Sequence, residues 1–137
     1  MSAMPNPALD GWKERQLAGF FQLVGPLWTR KEGDSWGYAF LAQEKHANPA
    51  GMVHGDMLTT LLDHALSALA WEANARKPCV TVALDVHFLQ PARPGDFIEA
   101  RGRILRQTSS LVFLQGGLSV QERDIAAASA ILKIRSP

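Results

Sequence analysis

DMLTTLLDHALSALAWEAN, residues 56 to about 74, is the stretch whose reading decides the architecture. Met57, Leu58, Leu61, Leu62, Ala65, Leu66, Ala68, Leu69 and Ala70 spread around most of a helix's circumference. A helix apolar on nearly every side must be buried on nearly every side. The chain that follows supplies the cover. Residues 79–89 alternate cleanly, with Val80, Val82, Leu84, Val86 and Phe88 on one face and Thr81, Ala83, Asp85 and His87 on the other, the period of a strand. After a turn at Pro91-Ala92-Arg93-Pro94-Gly95-Asp96, residues 97–106, 111–121 and 125–134 read as three more strands joined by short polar links. Short links favour antiparallel neighbours, and the helix is covered only if that sheet curls around it. The fold class is therefore α+β, a central buried helix wrapped by a curved antiparallel sheet.

Working back from the helix, residues 35–42 form a further strand in which Trp36, Tyr38 and Phe40 alternate, and a polar loop occupies 43–51. Leu17, Phe20, Phe21 and Val24 recur at three- and four-residue steps behind Asp10, which predicts an amphipathic helix over 10–24 ended by Gly25-Pro26. Residues 1–9 read as a loose leader of little consequence.

The 137 residues make one domain, 47% apolar and 20% charged, the balance of a globular protein with a proper core. A net charge of +1 without a basic cluster argues against nucleic acid. No basic-then-apolar leader is present, and no run approaches the ~20 apolar residues that span a bilayer. The single Cys79 forms no intramolecular bridge and suits a reducing compartment. A soluble, cytoplasmic protein with no membrane partner is expected.

Chemistry gathers at the mouth of the long helix. Asp56, Thr59, Thr60, Asp63 and Ser67 fall within roughly 60° of one line, opposite the leucines. A helix amino terminus offers unpaired N–H groups and partial positive charge to an oxygen gaining negative charge, and Gly55 at that point lets a carbonyl come close. Asp63 lies about two turns on, ~12 Å along the axis, too far for both groups to act on one carbonyl within a single helix unless side chain and substrate span the gap. A second subunit could close that distance.

The arrangement Asn48-x5-His54-Gly55-x3-Thr59-x3-Asp63, reading N-x5-HG-x3-TLxD, resembles the phenylacetate-pathway (PaaI-like) branch of the hotdog thioesterases. The resemblance covers about residues 35–134, including Thr81-Val82-Ala83-Leu84-Asp85-Val86-His87-Phe88-Leu89 and the Gly95-Asp96 pair. It implies a hotdog fold that hydrolyses acyl-CoA, with the Gly55 N–H polarising the thioester carbonyl and Asn48 and His54 holding that end of the site. Asp63 then acts as general base or nucleophile, Thr81 positions the water, and Thr59, Val82 and Ala83 contact substrate. It also implies a homodimer or homotetramer whose site draws Asn48, His54 and Gly55 from one chain and Asp63 and Thr81 from its partner. One departure is Asp56, where the family usually has a second glycine; it is expected to cap the helix.

No cofactor is expected beyond coenzyme A as part of the substrate, and no metal, since His54 and His64 lack the i, i+4 helix spacing of a zinc pair. His64 and His87 read as packing or surface residues. Arg101, Arg103 and Arg106 read better as a solvated strand face than as a phosphate site. Two alternatives stand beside hydrolysis. A hotdog hydratase or dehydratase has the pattern D-x-N-P-x-H, but here His46 replaces the aspartate and the next histidine, His54, lies six residues past Asn48 rather than three. A non-catalytic acyl-CoA binder needs the pocket but not Asp63.

Overall fold

The computed structural model describes residues 5–135. In chain order the elements are a 3-10 turn (Pro7–Asp10), β1 (Lys13–Arg15), α1 (Phe20–Val24), β2 (Leu27–Glu32), β3 (Ser35–Leu41), a second 3-10 turn (Glu44–His46), α2 (Gly55–Ala73), β4 (Cys79–Phe88), β5 (Phe97–Gln107), β6 (Leu111–Val120) and β7 (Arg123–Ile134). All the strands join one antiparallel sheet in the order β1-β2-β3-β5-β6-β7-β4. The helix touches β3, β5, β6, β7 and β4, so the sheet curls around it as its apolar circumference requires. Leu61, Leu62 and Leu66 are sealed completely, each stabilising the fold by roughly 2 kcal/mol relative to an exposed side chain.

The helix sits low on the sheet because glycines make room for it. Gly102 on β5 pairs with Gly116 on β6. A Cβ on the first would lie 2.6 Å from Leu66 Cδ2, and on the second 2.9 Å from the same atom. The helix ends where Asn74 turns back, its side chain donating to the Ala70 carbonyl and its own N–H to that of Trp71.

The amino-terminal segment differs from the expectation. No helix runs over 10–24; a three-residue β1 pairs with β2, and a helix of only five residues, α1, follows Gly19. Gly19 has φ +76°, a conformation no α-helix passes through, so apolar spacing on its two sides belongs to different elements. Of the leader, residues 5–9 are described, and Pro7 is buried in the first turn. That turn delivers Trp12 onto β3, where its ring occupies the space a side chain at Gly37 would need. Arg30 and Arg101 lie over the Trp12 ring at 4.5 and 5.9 Å, and Glu32 bonds both guanidinium groups. Trp12 thus staples this segment to the sheet, and within the expected leader the 3-10 turn with its buried Pro7 is ordered structure, while residues 1–4 lie outside the described residues. The polar composition of β2, Leu-Trp-Thr-Arg-Lys-Glu, concealed a strand whose Leu27 and Thr29 are buried.

The face assignment of β4 also changes. A bulge between Thr81 and Ala83 inserts Val82, so Thr81 pairs with Leu132 while Ala83 pairs with Ile131. Thr81 therefore faces α2 together with Leu84 and Val86, and Val80 and Val82 are exposed. An unbroken period of two had put Thr81 with Asp85 and His87.

Candidate active site

β4 ends the sheet, and its inward Thr81 lies across from the polar seam of α2. Thr81 Oγ1 donates to Asp63 Oδ1 at 2.7 Å. Ser67 Oγ lies 3.4 Å from Thr81 Oγ1; with Thr81's one proton given to Asp63, Ser67 is the donor. The row Ser67, Thr81, Asp63 thus delivers hydrogen bonds toward one carboxylate, which is half-buried on the polar seam of α2. Among the described residues no group donates to Asp63 Oδ2. Thr59 and Thr60 continue the seam one turn back, half-buried, with Thr60 Oγ1 donating to the Asp56 carbonyl.

The amino end of α2 is built differently. The His54 Nδ1 accepts from Asp56 N–H at 3.1 Å, so the histidine caps the helix. Asp56 does not perform the capping expected of it: its carboxylate is 95% exposed, 3.5 Å from that ring nitrogen, and acts only as first-turn charge. Asn48 Oδ1 accepts from Ala50 and Met52 N–H groups, which folds the loop into an Asx-type turn. Its Nδ2 has no partner among the described residues. The Gly55 N–H likewise meets no acceptor among them, and it points out of the first turn of a 19-residue helix. A Cβ at Gly55 would lie 3.2 Å from Phe88 Cζ, so the space its missing side chain leaves is filled by the chain's own ring. Sequence reading assigned Phe88 only a strand face. The contact follows from β4 running back along α2 and has no local signal.

His46 backs this loop. Its ring is buried, accepts Gln43 N–H at Nδ1 and donates from Nε2 to the Val24 carbonyl at 2.6 Å, and burial holds its pKa below the usual histidine value. Its main-chain carbonyl accepts His54 N–H, tying the capping residue to the buried ring.

The remaining sequence candidates fall elsewhere. Val82 stands exposed at the bulge, and Ala83 points to the outer face of the sheet beside Leu105 and Phe113. Within one chain the structure brings together Asp63, Thr81 and Ser67, and separately Asn48, His54 and Gly55. Eight helical residues, ~12 Å of axial rise, part Asp63 from Gly55. Among the described residues no cluster of three or more metal-ligating side chains occurs, and no helix is long and apolar enough to cross a membrane.

The model of the thioesterase superfamily matches residues 50–127, from the end of the loop through α2 and the strands as far as the first half of β7. The chain belongs to the thioesterase superfamily. A Pseudomonas aeruginosa protein named as an esterase, PA0474, is 33% identical over 114 residues, covering 82% of this chain and 85% of its own. Acyl-coenzyme A thioesterase 13 of Mus musculus is 33% identical over 72 residues, about half of each chain. A solved mutant of the phenylacetic acid degradation protein PaaI from Thermus thermophilus superposes with a TM-score of 0.74 at 21% identity, covering 85% of this chain and 98% of that one. The hotdog fold and the thioesterase family expected from the helix and its motif are those of this superfamily, and the chain is an enzyme of thioester hydrolysis.

Proposed function

We propose that this thioesterase hydrolyses acyl-CoA at a site shared between two copies of the chain, Asp63 and Thr81 coming from one and Gly55, His54 and Asn48 from the other. The observation that carries this is the division just described: a carboxylate with one oxygen and a helix N–H that have no partner among the described residues lie ~12 Å apart on one helix. Each is half of a site for acyl transfer. The outer edge of β4, which pairs with no strand among the described residues, supports the assembly, because its N–H and C=O groups are satisfied by pairing with the β4 of a second copy, which brings two α2 helices side by side.

In that assembly the thioester oxygen accepts from Gly55 N–H, whose position at the helix start stabilises the charge that develops there. Asp63 Oδ2 takes a proton from water as the water oxygen attacks the carbonyl carbon. Collapse of the tetrahedral intermediate breaks the C–S bond. The coenzyme A sulfur leaves with the proton, and the acid is released. Thr81 holds Oδ1 so that Oδ2 faces the water, and Thr59, on the same seam, contacts the substrate across the interface, whereas Val82 and the outward Ala83 take no part. Coenzyme A enters only as part of the substrate, with no metal or other cofactor. The single thiol, Cys79, favours a reducing compartment, and the cytoplasm is the proposed location.

The hydratase reading loses support because both nitrogens of His46 are committed to backbone groups and His54 Nδ1 caps the helix. Release of free thiol from hexanoyl-CoA, together with sedimentation at micromolar concentration, tests the proposal. Thiol release by a species no smaller than a dimer is expected, and an active monomer would end the shared-site model.

A further inference from the structure

Phe88, the last residue of β4, lies at the amino end of α2, because β4 runs back along the helix from Thr81 beside Asp63 to Phe88 beside Gly55. Two β4 strands that pair antiparallel about a two-fold axis set the Phe88 end of one next to the Thr81 end of the other. In the shared-site assembly the Phe88 ring therefore stands at the seam, between its own chain's Gly55 and the partner's Asp63.

The ring is fixed there from both sides. Phe88 pairs with Ala126 of β7, and the N–H of the next residue, Leu89, donates to the Ile125 carbonyl at 2.8 Å. On the helix side, Val53 N–H donates to the Ala92 carbonyl at 2.8 Å, which ties the loop before Gly55 to the turn after Phe88. Yet Phe88 has no share in the core around α2 and is 54% exposed. What it meets instead is a glycine: its Cζ, Cε1 and Cε2 lie 3.2, 3.5 and 3.7 Å from where a Cβ at Gly55 would stand. Gly55 is helical and does not have a left-handed φ, so its backbone conformation does not call for glycine. The ring does. Because that Cβ position and the amide nitrogen share one Cα, the ring also flanks the N–H that meets no acceptor among the described residues.

Resting on the shared-site reading above, we infer that Phe88 is a positioning residue that acts through Gly55: its ring closes the open side of the donor to water and leaves the thioester oxygen one line of approach, along the N–H. A hydrogen bond to an oxygen gaining charge is stronger where water is shut out. The missing side chain at Gly55 then serves the ring rather than the substrate.

Thiol release from hexanoyl-CoA by variants at both positions tests this. Phe88→Ala removes the cover, and kcat is expected to fall about tenfold with KM nearly unchanged, a smaller loss than that of a whole oxyanion donor. Phe88→Met keeps an adaptable apolar side chain of similar reach and should hold kcat within about threefold of wild type. Gly55→Ala keeps the N–H but drives a methyl into the ring, inside the ~3.5–4.0 Å of carbon contacts, and a fall on the order of 10-fold to 100-fold is expected. Adding Phe88→Leu, which lacks the far atoms of the ring, should raise Gly55→Ala by about threefold or more. A wild-type kcat in Phe88→Ala, or a double variant no more active than Gly55→Ala, overturns the inference. So does a Phe88→Ala enzyme whose sedimenting dimers turn over like the wild type, since the ring would then serve assembly alone. A second readout needs no turnover: the Gly55 amide proton resonance in the presence of 2-oxoheptyl-CoA, an uncleavable ketone with a methylene between sulfur and carbonyl. It should move downfield in the wild type and by less than half as much in Phe88→Ala. That dependence on the ring without any thiol release leaves the inference standing and removes the hydrolase; thiol release with equal shifts and equal kcat does the reverse.

Discussion

The two ends of the polar seam on α2 spend their hydrogen bonds in opposite ways. At the amino end, side chains hold backbone in place: Asn48 Oδ1 ties the loop, His54 Nδ1 caps the helix, and His46 is clamped behind them. What this end offers outward is a main-chain N–H, that of Gly55. At mid-helix the bonds run from side chain to side chain and converge on Asp63. One end is a rigid donor, the other an aimed acceptor, and one chain cannot bring them to the same carbonyl. On the proposed reading, a second copy unites these two halves of opposite chemistry.

The largest expected effect comes from taking away the acceptor. Asp63→Asn keeps the size and the hydrogen bond from Thr81 but cannot take a proton, and a loss of roughly 10³-fold in kcat is expected, within the range of a positioned general base. Near wild-type thiol release from folded Asp63→Asn would remove Asp63 from the chemistry. Asn48→Ala unties the turn that presents the donor, and a loss on the order of 10-fold to 100-fold is expected, scored by the same thiol assay. Mixing these two impaired chains after mild dissociation breaks or confirms the division directly, read as activity above that of Asn48→Ala alone. Half of the dimers formed by statistical exchange are mixed, and each holds one intact site, so recovery of roughly a quarter of wild-type activity is expected. Mixed dimers proved by mass spectrometry but without recovery would put both residues in one chain's site.

A smaller effect tests the aim of the acceptor. Thr81→Val removes the hydroxyl while keeping a β-branched shape on β4, and about a tenfold fall in kcat with little change in KM is expected. Thr81→Ser should restore most of it. Equal losses in the valine and serine variants would mean that the position matters for packing alone.

How much of this could be read from residues alone divides along the same seam. The apolar circumference of residues 56–74 required a wrapped helix, and the N-x5-HG-x3-TLxD spacing named Asn48, His54, Gly55 and Asp63 as candidates, which the structure places in two groups along one helix. Short-range pattern failed where a third party intervened. The inserted Val82 reversed the parity of β4, so Thr81 faces Asp63 although simple alternation turned it away; the signal was absent because Val82 fits a strand equally well in either parity. In the amino-terminal segment, spacing across Gly19 suggested one helix where β1 and α1 meet. Trp12 and Pro7 are buried only because distant residues, Gly37 and Arg30 among them, receive that segment. The polar text of β2 hid its pairing, and Phe88 reached Gly55 through the path of β4. Tertiary partners, not local propensity, decided each of these.

The smallest expected effect asks whether the two ends also differ in how firmly they hold a neutral histidine. His46 stands behind the donor end and His64 beside Asp63, and burial lowers the pKa of both. A histidine whose folded pKa lies below its unfolded value binds a proton more readily once unfolded. Its stabilising share is thus complete above the unfolded pKa, about 6.5, and declines as pH falls toward the folded value. The urea midpoint should therefore be flat from pH 8 to about 7 and fall between about 6.5 and 5. His64→Phe keeps the edge-on contacts with Phe21 and Tyr38 and removes one titrating group, so its midpoint should fall less over that interval. His46→Phe loses the two backbone bonds as well, so it should start lower at pH 8 and also flatten. If the wild-type midpoint rises in mild acid, or if His64→Phe falls as steeply as the wild type, burial is not what sets the charge of His64, and the mid-helix end tolerates a cation beside Asp63.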